Sequence, residues 1–123
     1  HEVFKTGTGR WSQVRGIQIC GKTGTAENFI KVDGVKKQLE DHSILVAFAP
    51  KENPQIALAV FVENGGYGST IAAPITSLLV EKYINGEISK RNKYRETNML
   101  NMSLQDIYDI QLNKPEEIAS GTE

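Results

Sequence analysis

Lys22-Thr23-Gly24-Thr25 sets an ammonium, two hydroxyls and a side-chain-free glycine in four consecutive positions, directly after the apolar stretch Ile17-Gln18-Ile19-Cys20. On an extended backbone such a run makes an edge to which a substrate strand can add, because Gly24 admits another backbone at close range. Thr23 and Thr25 then offer hydroxyl donors to a carboxylate or an amide. A backbone N–H at the end of the strand can stabilise an oxyanion, since such a donor is fixed in place before reaction. Lys22 can hold a proton relay or an anionic substrate group. The same four letters occur at Lys5-Thr6-Gly7-Thr8, but no apolar strand precedes that copy and Gly9-Arg10 comes after it, so it reads as a turn.

The stretch also satisfies a second motif. Gly16-Ile17-Gln18-Ile19-Cys20-Gly21-Lys22-Thr23 fits the phosphate-binding pattern G-x-x-x-x-G-K-[ST]. That motif requires a buried strand before its first glycine and a helix opening at its lysine. Here Arg10-Trp11-Ser12-Gln13-Val14-Arg15 precedes it and a hairpin signal comes after it, while Ile17 and Ile19 alternate as strand residues do. A nucleotide-hydrolysing P-loop enzyme is therefore the remote alternative.

The elements that must position these residues can be read from hydrophobic periodicity. Residues 17–25 read as a strand. Val32-Asp33-Gly34-Val35, an Asp-Gly pair between β-branched residues, predicts a hairpin within 28–40. Residues 43–49 are apolar at both alternating sets of positions, the pattern of a central strand covered on each side. A third strand spans 55–63, with Ile56, Leu58, Val60 and Val62 on one face and Ala57, Ala59 and Phe61 on the other; the small face is expected to let a helix or another backbone approach closely. Ile71, Ile75, Leu78, Leu79 and Tyr83 recur at helical spacing and Asn85-Gly86 ends the run, with Pro74 required to lie in the first turn. From Glu87 onward Lys90, Arg91, Lys93 and Arg95 suggest a solvated linker. Leu100, Leu104, Ile107 and Tyr108, with Ser103 three residues before Asp106, suggest a short amphipathic helix. Residues 114–123 have the composition of a disordered tail.

Composition removes several function classes. The chain has 123 residues, 39% hydrophobic and 24% charged, with net charge −1 and pI near 6.2, which leaves no electrostatic footprint for nucleic acid. No apolar run approaches the roughly 20 residues that span a bilayer. The chain opens on His1 with neither an initiator Met nor a signal-peptide pattern, as at an expression or cleavage boundary. The single cysteine, Cys20, reads as a small buried strand residue, and with only two histidines no metal-ligand cluster is expected, nor any cofactor. His42 beside Asp41 reads as structural at a strand entrance, and Trp11 as a packing residue.

Around Lys22 the motif lengthens to Gly21-Lys22-Thr23-Gly24-Thr25-Ala26-Glu27, and further segments extend it: Asp41-His42, Ala47-Phe48-Ala49-Pro50, Asn53-Pro54-Gln55-Ile56-Ala57 and Val62-Glu63-Asn64-Gly65-Gly66. Together these resemble the C-terminal part of the transpeptidase domain of class B penicillin-binding proteins of the elongation type, over about residues 7 to 86. The resemblance implies a serine D,D-transpeptidase that crosslinks peptidoglycan stem peptides and is a target of β-lactams. It implies that Lys22 assists proton transfer near a nucleophilic serine, that Thr23 and Thr25 hold the carboxylate of a donor peptide or β-lactam beside Gly24, and that the Thr25 N–H forms half of an oxyanion hole. It further implies a parent anchored in the bacterial inner membrane with this domain on the periplasmic side, working with elongation-machinery proteins.

One departure bears directly on activity. None of Ser12, Ser43, Ser69, Ser77, Ser89, Ser103 and Ser120 has Lys three residues on or Asn two residues on, so S-x-x-K and S-x-N are both missing and the chain alone is expected to be inert. A non-catalytic peptide- or β-lactam-binding sensor, and a β-lactamase or carboxypeptidase, share the K-T-G strand and stand as alternatives. The expected fold is an α/β (α+β) fragment of three antiparallel strands with a C-terminal helix over 1–86, then a linker, short helix and tail over 87–123. Its exposed apolar surface is expected to drive self-association.

Overall fold

Residues 2–5, 7, 9–67 and 69–105 are described by the computed structural model. Three strands form its sheet: β1 (Cys20–Ala26), β4 (His42–Ala49) and β5 (Ile56–Val62), in the order β1-β4-β5 with both pairings antiparallel. Between β1 and β4 the chain makes a separate hairpin, β2 (Phe29–Val32) and β3 (Val35–Gln38). Its turn is set by Asp33 at φ 52° and Gly34 at φ 81°, the paired positive φ values of a twist-matched two-residue loop. The first strand is shorter than its apolar signal suggests. Ile17 pairs only with Val14 in an isolated bridge, and regular pairing begins at Cys20, which is buried.

Directly opposite residues in a sheet share a face, so the register sorts the side chains. Ser43, Leu45, Ala47 and Ala49 are buried on one face together with Val60. Helix α2 (Ala72–Asn85) covers that face, bringing Ala72, Ala73, Thr76, Ser77 and Val80 into the interior. Pro74 lies third in the helix, within the first turn, and Gly86 at φ 81° ends it with its N–H on the Lys82 carbonyl. A short helix α1 (Glu2–Lys5) sits against β1 and inserts Phe4, which is 2% exposed.

The small face of β5 does not receive the helix, and two expectations from the sequence do not hold. The helix packs on the large face of β5, over Ile56, Leu58, Val60 and Val62, and not on the Ala57/Ala59 face. Close approach needs small residues on only one partner, and α2 supplies Ala72, Ala73, Thr76 and Ser77 beside Val80, while Leu79 and Tyr83 stay exposed. Among the described residues the central strand is covered on one face only, with Val46 50%, Phe48 41% and Phe61 56% exposed on the other. Trp11 does not pack inside but stands 78% exposed, with the Arg10 guanidinium 5.0 Å from its ring.

The charged stretch after Glu87 also differs from a solvated linker. A turn of 3-10 helix at 90–92 leads into α3 (Lys93–Asn101), which packs on α2. Asn92 and Arg95 are buried. Arg95 Nη1 donates to Ser77 Oγ at 3.2 Å and Nη2 donates to the Trp11 carbonyl at 2.9 Å. The buried Glu81 carboxylate accepts from Asn92 Nδ2 at 2.9 Å and from the Ser89 N–H at 3.3 Å. Of the helix expected at 100–108, Leu104 and Gln105 have helical backbone; its part beyond 105, and the tail at 114–123, lie outside the described residues. Of the Lys5–Thr8 copy, Lys5 closes α1, while Thr6 and Thr8 lie outside the described residues.

Candidate active site

Lys22, Thr23, Gly24 and Thr25 all lie within β1, at the outer edge of the sheet, paired on one side with Val46, Leu45, Ile44 and Ser43. Among the described residues no strand pairs with the other side of β1. No helix opens at Lys22, so the G-x-x-x-x-G-K-T pattern does not form a phosphate-cradling loop.

The register divides the motif between two faces. Thr23 and Thr25 share the face of Leu45 and Ser43; Lys22 and Gly24 share the opposite, largely uncovered face with Val46 and Ile44. Lys22 Nζ donates to the Thr23 carbonyl at 2.7 Å, which brings the ammonium against the strand backbone. Thr25 is exposed and Thr23 half-buried. The hydroxyl pair and the ammonium therefore flank the same open backbone edge, one from each face.

The two glycines of this strand serve different ends. A Cβ at Gly21 would stand 2.9 Å from the Val46 carbonyl oxygen and 3.0 Å from Phe4 Cε2, so internal packing requires the glycine. A Cβ at Gly24 would meet only Ile44 Cβ at 3.8 Å, an ordinary contact. Nothing among the described residues demands glycine there; its bareness faces outward.

The exit of the strand is fixed by Asn28 and Asn64, which sequence reasoning left in loop and turn, and by His42, which it read as structural at a strand entrance. Asn28 Nδ2 donates to the Glu40 carbonyl at 3.1 Å and to Asn64 Oδ1, while the Asn28 carbonyl accepts the Leu39 N–H and Gln38 Nε2, each at 2.9 Å. His42, opposite Ala26, accepts the Asn64 N–H on Nδ1 at 3.1 Å, and its ring lies 5.3 Å from that of Phe61. Asn64 adopts φ 55°, a left-handed conformation that asparagine tolerates better than most residues. No periodicity marks Asn28; a two-residue gap after a strand is its whole signal. Ser43, opposite Thr25, is fully buried, and its Oγ has no hydrogen-bond partner among the described residues.

An edge strand K-T-G-T with an antiparallel neighbour and a covering C-terminal helix defines a class, and the comparison with known sequences gives it a family. The chain belongs to the penicillin binding protein transpeptidase domain family, whose model matches residues 1–81. Within it the likeness is to the penicillin-binding-protein-2 type of class B transpeptidase. Peptidoglycan D,D-transpeptidase MrdA of Haemophilus influenzae is 35% identical over 96 residues, covering 72% of this chain and 15% of that protein. Peptidoglycan D,D-transpeptidase PbpA of Mycobacterium tuberculosis is 38% identical over 79 residues, covering 60% of this chain and 15% of its own length. Among solved structures, Pseudomonas aeruginosa PBP2 in complex with WCK 5153 superposes with a TM-score of 0.52 at 35% identity, over 72% of this chain and 19% of that one. Penicillin-binding protein A from M. tuberculosis, as a ceftriaxone acyl-enzyme complex, gives 0.51 at 37% identity, over 59% and 17%. The chain thus spans less than a fifth of the length of each of these relatives.

Proposed function

We propose that this segment supplies the substrate-binding edge of a peptidoglycan D,D-transpeptidase. The observation that carries the proposal is Gly24: a glycine with no internal packing reason, on an unpaired edge, between two threonine hydroxyls and beside a lysine. A stem peptide or a β-lactam adds along β1 by main-chain hydrogen bonds. Thr23 and Thr25 hydroxyls bind its carboxylate. Lys22 takes part in moving the proton of a serine nucleophile that lies elsewhere in the protein. That serine's Oγ attacks the penultimate D-Ala carbonyl, and the resulting oxyanion is held by the Thr25 N–H and the nucleophile's own N–H. The C–N bond breaks, D-Ala leaves as the protonated amine, and an amine from a neighbouring stem takes the acyl group and regenerates the serine hydroxyl. This chemistry belongs outside the inner membrane, where the stem peptides are, in company with the cell-elongation machinery. The naming of the relatives as D,D-transpeptidases favours this reading over a hydrolase or a sensor.

Fluorescent penicillin tests it. The full-length gene product is expected to form a covalent adduct that survives denaturation, whereas the 123-residue chain, which has no S-x-x-K, is expected to stay unlabelled. Stable labelling of the short chain sinks the proposal, and so does failure of the full-length product to label.

A further inference from the structure

Ser43, the second residue of β4, is fully buried, and among the described residues its Oγ is the one buried side-chain polar atom without a hydrogen-bond partner. A buried hydroxyl in that state is costly to keep, and its position shows what it can serve. On one side it is walled in. A Cβ at Gly65 would stand 2.9 Å from Ser43 Cβ and 3.0 Å from Val62 Cβ, so the Gly65 backbone lies directly over the serine. The turn that brings Gly65 there is tied down on three bonds. The Gly65 N–H donates to the Val62 carbonyl at 3.2 Å, the Gly66 N–H to the Asp41 carbonyl at 2.7 Å, and the Asn64 N–H to His42 Nδ1 at 3.1 Å.

On the other side, directly opposite in the register, is Thr25 of the K-T-G-T strand. Opposite residues of an antiparallel pair share a face and hold their Cβ atoms about 4.5–5.5 Å apart, close enough for two hydroxyls to bond at about 2.7–2.8 Å. Thr25 is exposed, so it is the member of the pair that a ligand meets. Proton counting gives the direction of the bond. Each hydroxyl has one proton to donate and lone pairs with which to accept. Ser43 donates to nothing else among the described residues, which leaves Thr25 Oγ1 as the acceptor set within its reach. The Thr25 proton then points outward, to the strongest acceptor that arrives, an ionised carboxylate.

We propose that Ser43 is a positioning residue for carboxylate recognition, donating to Thr25 Oγ1 when a ligand carboxylate takes the Thr25 proton. The two hydroxyls are not bonded to each other in this structure; the bond is made as Thr25 turns its proton to the ligand. The series Ser43 O–H to Thr25 O–H to carboxylate runs one way, and each bond polarises the next. Ser43 itself touches no substrate. The inference rests on the reading of β1 as the edge that binds the carboxylate, and it adds the residue behind that edge that makes Thr25 select a charged group over a neutral one.

Acylation of the full-length gene product by a chromogenic cephalosporin, measured beside the methyl ester of the same compound, tests it. Ser43→Ala is expected to lower the second-order rate for the carboxylate about 10-fold, the size of one hydrogen bond to a charged group, and to leave the ester rate within about 2-fold. In a Thr25→Val background, where no hydroxyl remains to be polarised, Ser43→Ala is expected to change neither rate by more than about 2-fold. Equal slowing of both compounds gives Ser43 a merely structural role and overturns the proposal, as does an undiminished effect in the Thr25→Val background. Urea unfolding of the 123-residue chain separates folding from recognition. Ser43→Ala is expected to hold or raise the midpoint, since the hydroxyl removed has no partner; a lower midpoint contradicts this. A full-length product that neither compound acylates removes the transpeptidase reading and this proposal together, whereas an unchanged carboxylate rate in Ser43→Ala removes this proposal alone.

Discussion

Gly21 and Gly24 occupy one strand three positions apart, and side-chain space separates their roles. Gly21 is hemmed by the Val46 carbonyl at 2.9 Å and by Phe4, whereas Gly24 meets only Ile44 Cβ at 3.8 Å. Gly21→Ala is expected to cost about 1–3 kcal/mol by overpacking. Gly24→Ala is expected to change stability by less than about 0.5 kcal/mol. Urea unfolding of the two variants measures the difference. In the full-length gene product Gly24→Ala is nonetheless expected to slow β-lactam acylation, because the added methyl stands where the ligand backbone approaches. Equal loss of stability at both positions would assign Gly24 to packing. The motif letters were legible in the sequence, and so was the strand that carries the second K-T-G-T copy, since only that copy comes after an apolar run. Which glycine is structural was not legible, because it depends on Phe4, far away along the chain and brought in by α1.

Among the elements, α3 shows how charge can mislead. Arg95 stands in a run of cations that reads as solvated, yet it is 8% exposed and bridges Ser77 of α2 to the Trp11 carbonyl. Arg95→Ala removes two hydrogen bonds from a buried charged donor and takes that donor from both acceptors; hydrogen bonds to charged groups contribute about 1.5–3 kcal/mol each. A loss of about 2–4 kcal/mol is expected, read as a lower urea midpoint with unchanged slope. A change within about 0.5 kcal/mol, the range of ordinary surface substitutions, contradicts the bridging role. Strand positions, the Asp33-Gly34 turn and the span of α2 were accessible from alternation and turn chemistry. The facing of those elements was not. Alternation says that Ile56, Leu58, Val60 and Val62 share a side, but not which side meets a helix, and the small stripe that allows close approach proved to be on α2. His42 was legible as structural at a strand entrance, but Asn28 and the contacts that join positions 28, 42 and 64 escaped, since no local pattern encodes such a knot.

At the scale of the whole molecule, the sheet has, among the described residues, one covered face and one bare face. Ile44, Val46, Phe48 and Phe61 lie on the bare face beside Ala57 and Ala59. Contiguous exposed apolar surface of more than a few hundred Å² on a soluble protein usually finds a partner, and β1 adds an open edge. The isolated chain is therefore expected to self-associate, with light-scattering mass rising with concentration. A monomer mass that stays constant into the millimolar range, and still does so after removal of residues 87–123, contradicts this. Lys22 lies on that same face, so whatever covers it in the full-length protein also meets the ammonium. We propose that β1 is the working edge of a transpeptidase and that Lys22, not Lys5, acts there. Stopped-flow acylation of the full-length gene product by a chromogenic β-lactam tests it most directly. Lys22→Ala is expected to slow acylation at least ~100-fold, the low end for loss of a proton-transfer group, with Lys5→Ala close to the parent rate. Equal rates for the two variants, or a larger loss at Lys5, would contradict that assignment.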